Sequence, residues 1–157
     1  MIGAIILILI LIFINGIFAM SEIAIASARK SKLKSEAKKG NKKAETALAL
    51  LSEPNRLLST TQIVVTFIGI TLGIVGATYI ASPMSLFLQK IGIPQSVSDI
   101  FSSGLIIMFT AYFSLVLGDL TPKRIALSDP EGAAKRLAPY MDFFSHVASP
   151  LDRKSVV

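Results

Sequence analysis

Three stretches of this chain stay apolar for so long that water cannot be their solvent. The first runs from Ile2 to about Ala28, and Asn15-Gly16 is the one interruption between Phe13 and Ser21. The second runs from Leu57 to about Ala81 and the third from Ile100 to Leu117. A hydrocarbon core about 30 Å thick is crossed by about 20 helical residues, so each stretch has the length of a span. Lipid offers the backbone no hydrogen-bond partners, which makes such spans helical. The expected fold class is therefore an all-α membrane protein with three transmembrane helices. Composition agrees: 52% of residues are hydrophobic and 17% charged, where a soluble domain carries about 25% charged residues.

The cations set the topology. None precedes the first span, nine lie between the first and second (Arg29 to Arg56), one (Lys90) lies between the second and third, and six follow the third. Cytoplasmic loops hold the excess of Lys and Arg. The N-terminus is thus expected outside, segment 29–56 inside, loop 82–99 outside and the C-terminus inside, in a multi-pass protein of the cell membrane. Ala26-Ser27-Ala28 has the look of a leader cleavage site, but no cation precedes the apolar stretch and the stretch is too long for a leader. The net charge of +6 is clustered beside apolar runs, which suits anionic lipid headgroups and not nucleic acid. With no cysteine and one histidine, His146, the chain cannot build a thiolate or multi-histidine metal site.

Segment 29–52 is basic with apolar residues at helical spacing (Leu33, Ala37, Ala44, Ala47, Leu48, Leu51), broken at Gly40-Asn41. Two short helices lying on the inner leaflet are expected here. Ser52-Glu53-Pro54 resembles the start of the second span, with Ser52 as its cap. Loop 82–99 is expected to rest at the interface. Asp129-Pro130-Glu131 opens an amphipathic juxtamembrane helix whose apolar face carries Leu137, Tyr140, Met141, Phe143, Phe144 and Val147, interrupted at Pro139 and Asp142. Residues 1–128 then form the transmembrane domain, and 129–157 the juxtamembrane helix and a link onward.

A polar group at membrane depth needs a partner or an ion. Ser21-Glu22 lies about 10 Å inside the end of the first helix. Ser59, Gln62 and Thr66 share one face of the second by helical spacing. Gly69-x-x-x-Gly73 beside them has the spacing that lets helix backbones approach closely. Gly118-Asp119-Leu120-Thr121-Pro122 closes the third span. Pro122 cannot donate the bond that the Gly118 carbonyl would receive in a helix, so that carbonyl is left beside the Asp119 carboxylate. Oxygen ligands without Cys or His favour Mg²⁺, Ca²⁺ or Na⁺.

These residues carry a resemblance. Met20-Ser21-Glu22-Ile23-Ala24, Arg56-Leu57-Leu58-Ser59-Thr60-Thr61-Gln62 and Leu117-Gly118-Asp119-Leu120-Thr121-Pro122-Lys123-Arg124 resemble the corresponding elements of the CorC/CNNM transmembrane domain, once labelled hemolysin-like. The resemblance covers nearly the whole chain. It implies a homodimer of three-span subunits that exports Mg²⁺ against Na⁺ inflow. It also implies an ATP-binding CBS-pair domain following this one. Ser21 and Asp119 match two of the family's ion ligands, although the acid is usually Glu. The family's second-span Asn is missing from Val64-Val65-Thr66-Phe67-Ile68-Gly69, where Thr66 or Gln62 would supply the oxygen.

The expected function is a Na⁺-coupled Mg²⁺ exporter with a cytoplasm-facing site: Ser21 and Asp119 as ligands, the Gly118 carbonyl assisting, Glu22, Gln62 and Thr66 as outer ligands or a Na⁺ site. The rival expectation is a membrane anchor for a nucleotide-sensing cytoplasmic domain, in which the polar clusters only hold helices together. No nucleophile–base pair marks an enzyme.

Overall fold

The structure is a computed structural model that describes residues 2–152, and they are helical almost throughout, with no strand among them. Helix α1 (Ile2–Ser27) is the first span; α2 (Lys30–Lys38) and α3 (Lys42–Ser52) follow. Helix α4 (Pro54–Val75) passes through a π turn (Gly76–Ala81) into α5 (Ser82–Lys90). Helix α6 (Gln95–Leu115) likewise passes through a π turn (Val116–Leu120) into α7 (Thr121–Ser128), and α8 (Pro130–Asp152) ends the described chain. Residues 153–157, the end of the expected onward link, lie outside the described residues.

Two expectations need correction. The helices that hold the second and third apolar stretches run past Ala81 and start before Ile100: Pro54–Lys90 and Gln95–Ser128 are continuous rods of 37 and 34 residues. At 1.5 Å per residue these are about 55 and 50 Å long, far more than the ~30 Å hydrocarbon core. Segment 82–99 is thus a helical hairpin rather than an irregular loop. Its turn falls at Gly92, whose φ of +98° suits a residue without a Cβ. Polar side chains hold the hairpin closed: the Ser85 hydroxyl donates to the Asp99 carboxylate, and Gln89 Nε2 donates to Ser85 Oγ at 3.0 Å. Pro83 lies inside this rod directly after the π turn Gly76–Ala81, where the widened helix accommodates its missing N–H.

At the opposite, basic end, α2 and α3 form with Gly40 (φ +87°) between them, and Asn41 caps α3 by accepting from the backbone N–H groups of Lys43 and Ala44. Their apolar faces do not lie free on lipid. Leu33, Ala44, Ala47 and Leu50 bury against Ile25, Leu57, Ala126, Ala134, Ala138 and Met141 from α1, α4, α7 and α8. Alanines dominate this cluster because small side chains let helix axes approach closely. Helix α8 packs on α1, α3 and α4 and runs unbroken through Pro139, whose ring is on the exposed side. Ser52 is not the cap of α4: its hydroxyl donates back to Ala49, and Glu53 takes the cap position with Pro54 at N1.

Candidate functional site

The first polar feature inside the bundle is built from two glycines and a proline. Pro122 has no N–H to give Gly118, and the helix widens there instead of ending: Thr121 N–H reaches one residue further back, to the Val116 carbonyl. The expected helix break is therefore a π turn. The freed Gly118 carbonyl accepts a hydrogen bond from Asn15 Nδ2 of α1 at 3.0 Å, in the buried interior. Glycine is needed at 118, since a Cβ would stand 2.9 Å from Asn15 Nδ2 and 3.2 Å from the Ile12 carbonyl. Glycine at 16 serves the same contact from the other side, with Pro122 Cγ 3.0 Å from where its Cβ would be.

Beside this junction a cavity of about 410 Å³ opens between α1, α4 and α6. Asn15, Asp119, Thr110 and Ser114 supply its polar lining, and Val65 and Gly69 are part of its apolar wall. Asn15 is 5% exposed, and its Oδ1 is buried with no hydrogen-bond partner among the described residues. Asp119 is ion-paired with Lys123, one turn along, at 2.7 Å. A carboxylate and an orphaned amide oxygen on one cavity form a lining that attracts cations.

The basic end carries a second set of charges. Glu36 accepts from Lys135 Nζ at 2.7 Å and so ties α2 to α8. Lys135 holds the Glu36 carboxyl below its ordinary value. Glu131, at the start of α8, faces Lys32 at 3.6 Å and Arg29 at 3.9 Å.

The family model for the cyclin M (CNNM) transmembrane N-terminal domain matches residues 6–153. The chain belongs to the CNNM transmembrane domain family. A UPF0053 protein of Synechocystis is 46% identical over 92% of this chain and 32% of its own length. The polyamine export protein of Escherichia coli K12 is 36% identical over 96% of this chain and 34% of its own, and that of Haemophilus influenzae 31% identical over 90% and 32%. This CNNM domain thus spans about a third of the length of these relatives.

In the CNNM domain described here, the expected site residues separate. Gly118 and Asp119 sit at the π turn, Asp119 on the cavity. Ser21 is fully buried, does not line that cavity, and donates its hydroxyl to the Ile17 carbonyl of its own helix at 2.6 Å. Six residues of helix place it about 120° around α1 from Asn15. Glu22 shares the Asn15 face, about 10 Å away along the helix; it is half-buried and outside the cavity lining. Gln62 and Thr66 are exposed and also outside it, on the stripe of α4 that leads to Gly69 and Gly73. Those two glycines border the cavity, and among the described residues nothing lies within 4 Å of a Cβ at either. Thr60 and Thr61 are buried and bond back to Arg56 and Leu57. Sequence reasoning passed over Asn15, Thr110 and Ser114. The signal for Asn15 was available: a lone amide in the middle of the most apolar run, on the same helical face as Glu22.

Proposed function

We propose that this domain exports cations across the cell membrane and takes them at the Asn15–Asp119 cavity. The observation that carries this reading is the unpartnered Asn15 carbonyl oxygen, buried on the same cavity as the Asp119 carboxylate. Apolar surroundings make such oxygens costly unless a cation or donor meets them. Belonging to a family with members named as export proteins supports transport. The distribution of cations supports a cytoplasmic basic end and an external hairpin. The domain works as a homodimer ahead of a CBS-pair domain.

The cargo in the first reading is Mg²⁺, driven by Na⁺ inflow, with Asp119 and the Asn15 oxygen as ligands and Glu22, Gln62 and Thr66 along the approach. Ser21 would join only after turning from the Ile17 carbonyl. A second reading, an organic polyamine, is favoured by one contact: Asp119 already holds a primary ammonium, that of Lys123. A mostly apolar wall also suits methylene chains better than a hydrated divalent ion. The test uses the full-length protein in liposomes, loaded in parallel with Mg²⁺ or spermidine, with and without a Na⁺ gradient. Asp119→Ala is expected to abolish efflux of the cargo. Undiminished efflux removes this site. Absence of flux with either cation in the unmutated protein returns the domain to the role of an anchor.

A further inference from the structure

We propose that Lys123 is a tethered stand-in for the cargo, an ammonium that fills the carboxylate of Asp119 when no cation is bound and must leave before one can bind. This rests on the reading of the Asn15–Asp119 cavity as the cation site. The two side chains are 2.7 Å apart, Nζ to Oδ1. Asp119 lies in the π turn and Lys123 in the first turn of α7, and each keeps about a third of its side chain exposed (31% and 32%). The pair is therefore neither sealed in the core nor freely hydrated. Asp119 lines the cavity and Lys123 does not, so the ammonium reaches the carboxylate from the cavity's edge on a flexible four-carbon stem. Lys123 makes no other hydrogen bond or ion pair among the described residues, so nothing else holds it there.

The charge balance explains what such a tether does. A lone carboxylate in an apolar bundle is costly. With Lys123 in place the carboxylate of the empty site is paired, and with cargo in place it is paired again. Only the passage between the two exposes an unpaired charge. The ammonium thus lowers affinity for cargo, because binding must displace it, and speeds release by returning. Asn15 Oδ1 keeps its unpaired oxygen throughout, a contact for an entering cation that the tether leaves open.

The test is cation binding by purified full-length protein, read as ligand-induced thermal stabilisation with Mg²⁺ and with spermidine as separate probes. Lys123→Gln and Lys123→Met are expected to tighten binding of the cargo by about tenfold or more, since the competing closed state is removed. Lys123→Arg, which restores a cation beside Asp119, is expected to bring affinity back toward the wild type. Efflux in liposomes should slow in the Gln and Met variants although binding is tighter, a split that a purely structural lysine would not produce. Loss of binding in Asp119→Asn together with unchanged or weaker binding in both Lys123 variants overturns the tether and leaves the cavity reading standing. Unchanged binding in Asp119→Asn overturns the cavity reading itself.

Discussion

Gly118 is the residue whose side chain the site can least accept. An added Cβ would press on Asn15 Nδ2 and on the α1 backbone, so Gly118→Ala should lower stability by about 1–3 kcal/mol through overpacking. Gly104 on α6 has open space around its Cβ position, and Gly104→Ala should cost nothing; thermal unfolding of the two variants in detergent checks the contrast. Asn15→Leu removes the donor of the Gly118 carbonyl, a loss of about 1 kcal/mol for a hydrogen bond between membrane helices. If Asn15 also meets the cargo, the same variant loses efflux out of proportion to its change in melting temperature. At this scale the sequence was partly legible. Gly118, Asp119 and Pro122 announce themselves because their chemistry is local: a proline four residues after a glycine frees one carbonyl. The partner of that carbonyl was not legible. Asn15 lies 103 residues away, and nothing in the local sequence pairs it with the third span. Ser21 misled for a related reason, since a hydroxyl in a helix can satisfy itself on the preceding turn.

Among the elements, helix existence followed from apolar runs, and helix ends did not. The rods α4–α5 and α6–α7 continue past the apolar stretches because polar residues of the hairpin bond one another, which hydropathy does not register. Helix α8 opens on a cap that the sequence does show: Asp129 accepts from the Gly132 N–H at 3.0 Å. A Cβ on Gly132 would collide with that same carboxylate. Gly132→Ala should therefore fray the first turn of α8 and cost about 1 kcal/mol, the usual worth of a cap, with faster amide exchange in that turn as the local readout. The Glu36–Lys135 pair joins α2 to α8 with a definite pH dependence. Because Lys135 holds the Glu36 carboxyl low, the folded state binds that proton less readily than the unfolded chain. The contribution to stability is present above the ordinary glutamate pKa of about 4.3 and fades as pH falls through the lower, folded value. Melting temperatures of the wild type and Glu36→Gln should differ by a constant amount from pH 7 to pH 5 and converge on further acidification.

At the scale of the whole molecule, two regions have different characters. The basic end is a packed knot of α1, α2, α3, α7 and α8 around small side chains. The spans beyond it are held more loosely, with only 6% of the most apolar window of α6–α7 buried within the chain. Sequence periodicity foretold the short basic helices but placed them on lipid, because an amphipathic stripe does not say whether its apolar side meets membrane or protein. Helix α8 is bound to α1 by packing and to α2 by ion pairs, so a domain following α8 would be mechanically continuous with the helix that carries Asn15.

The wide turn at Val116–Leu120 also fixes the angular phase of everything after it. One surplus residue in a helical screw advances the thread by about 100°, so Lys123, Ala126 and the contacts of α7 are aimed by a register that a plain α-helix would not give. Deleting Leu117 should swing Ala126 out of the knot while Asp119 and Lys123 keep their four-residue spacing. Such a deletion should disable the protein more thoroughly than replacing both residues of the ion pair, and comparing the two for folding in the membrane shows whether phase or charge is what the turn supplies.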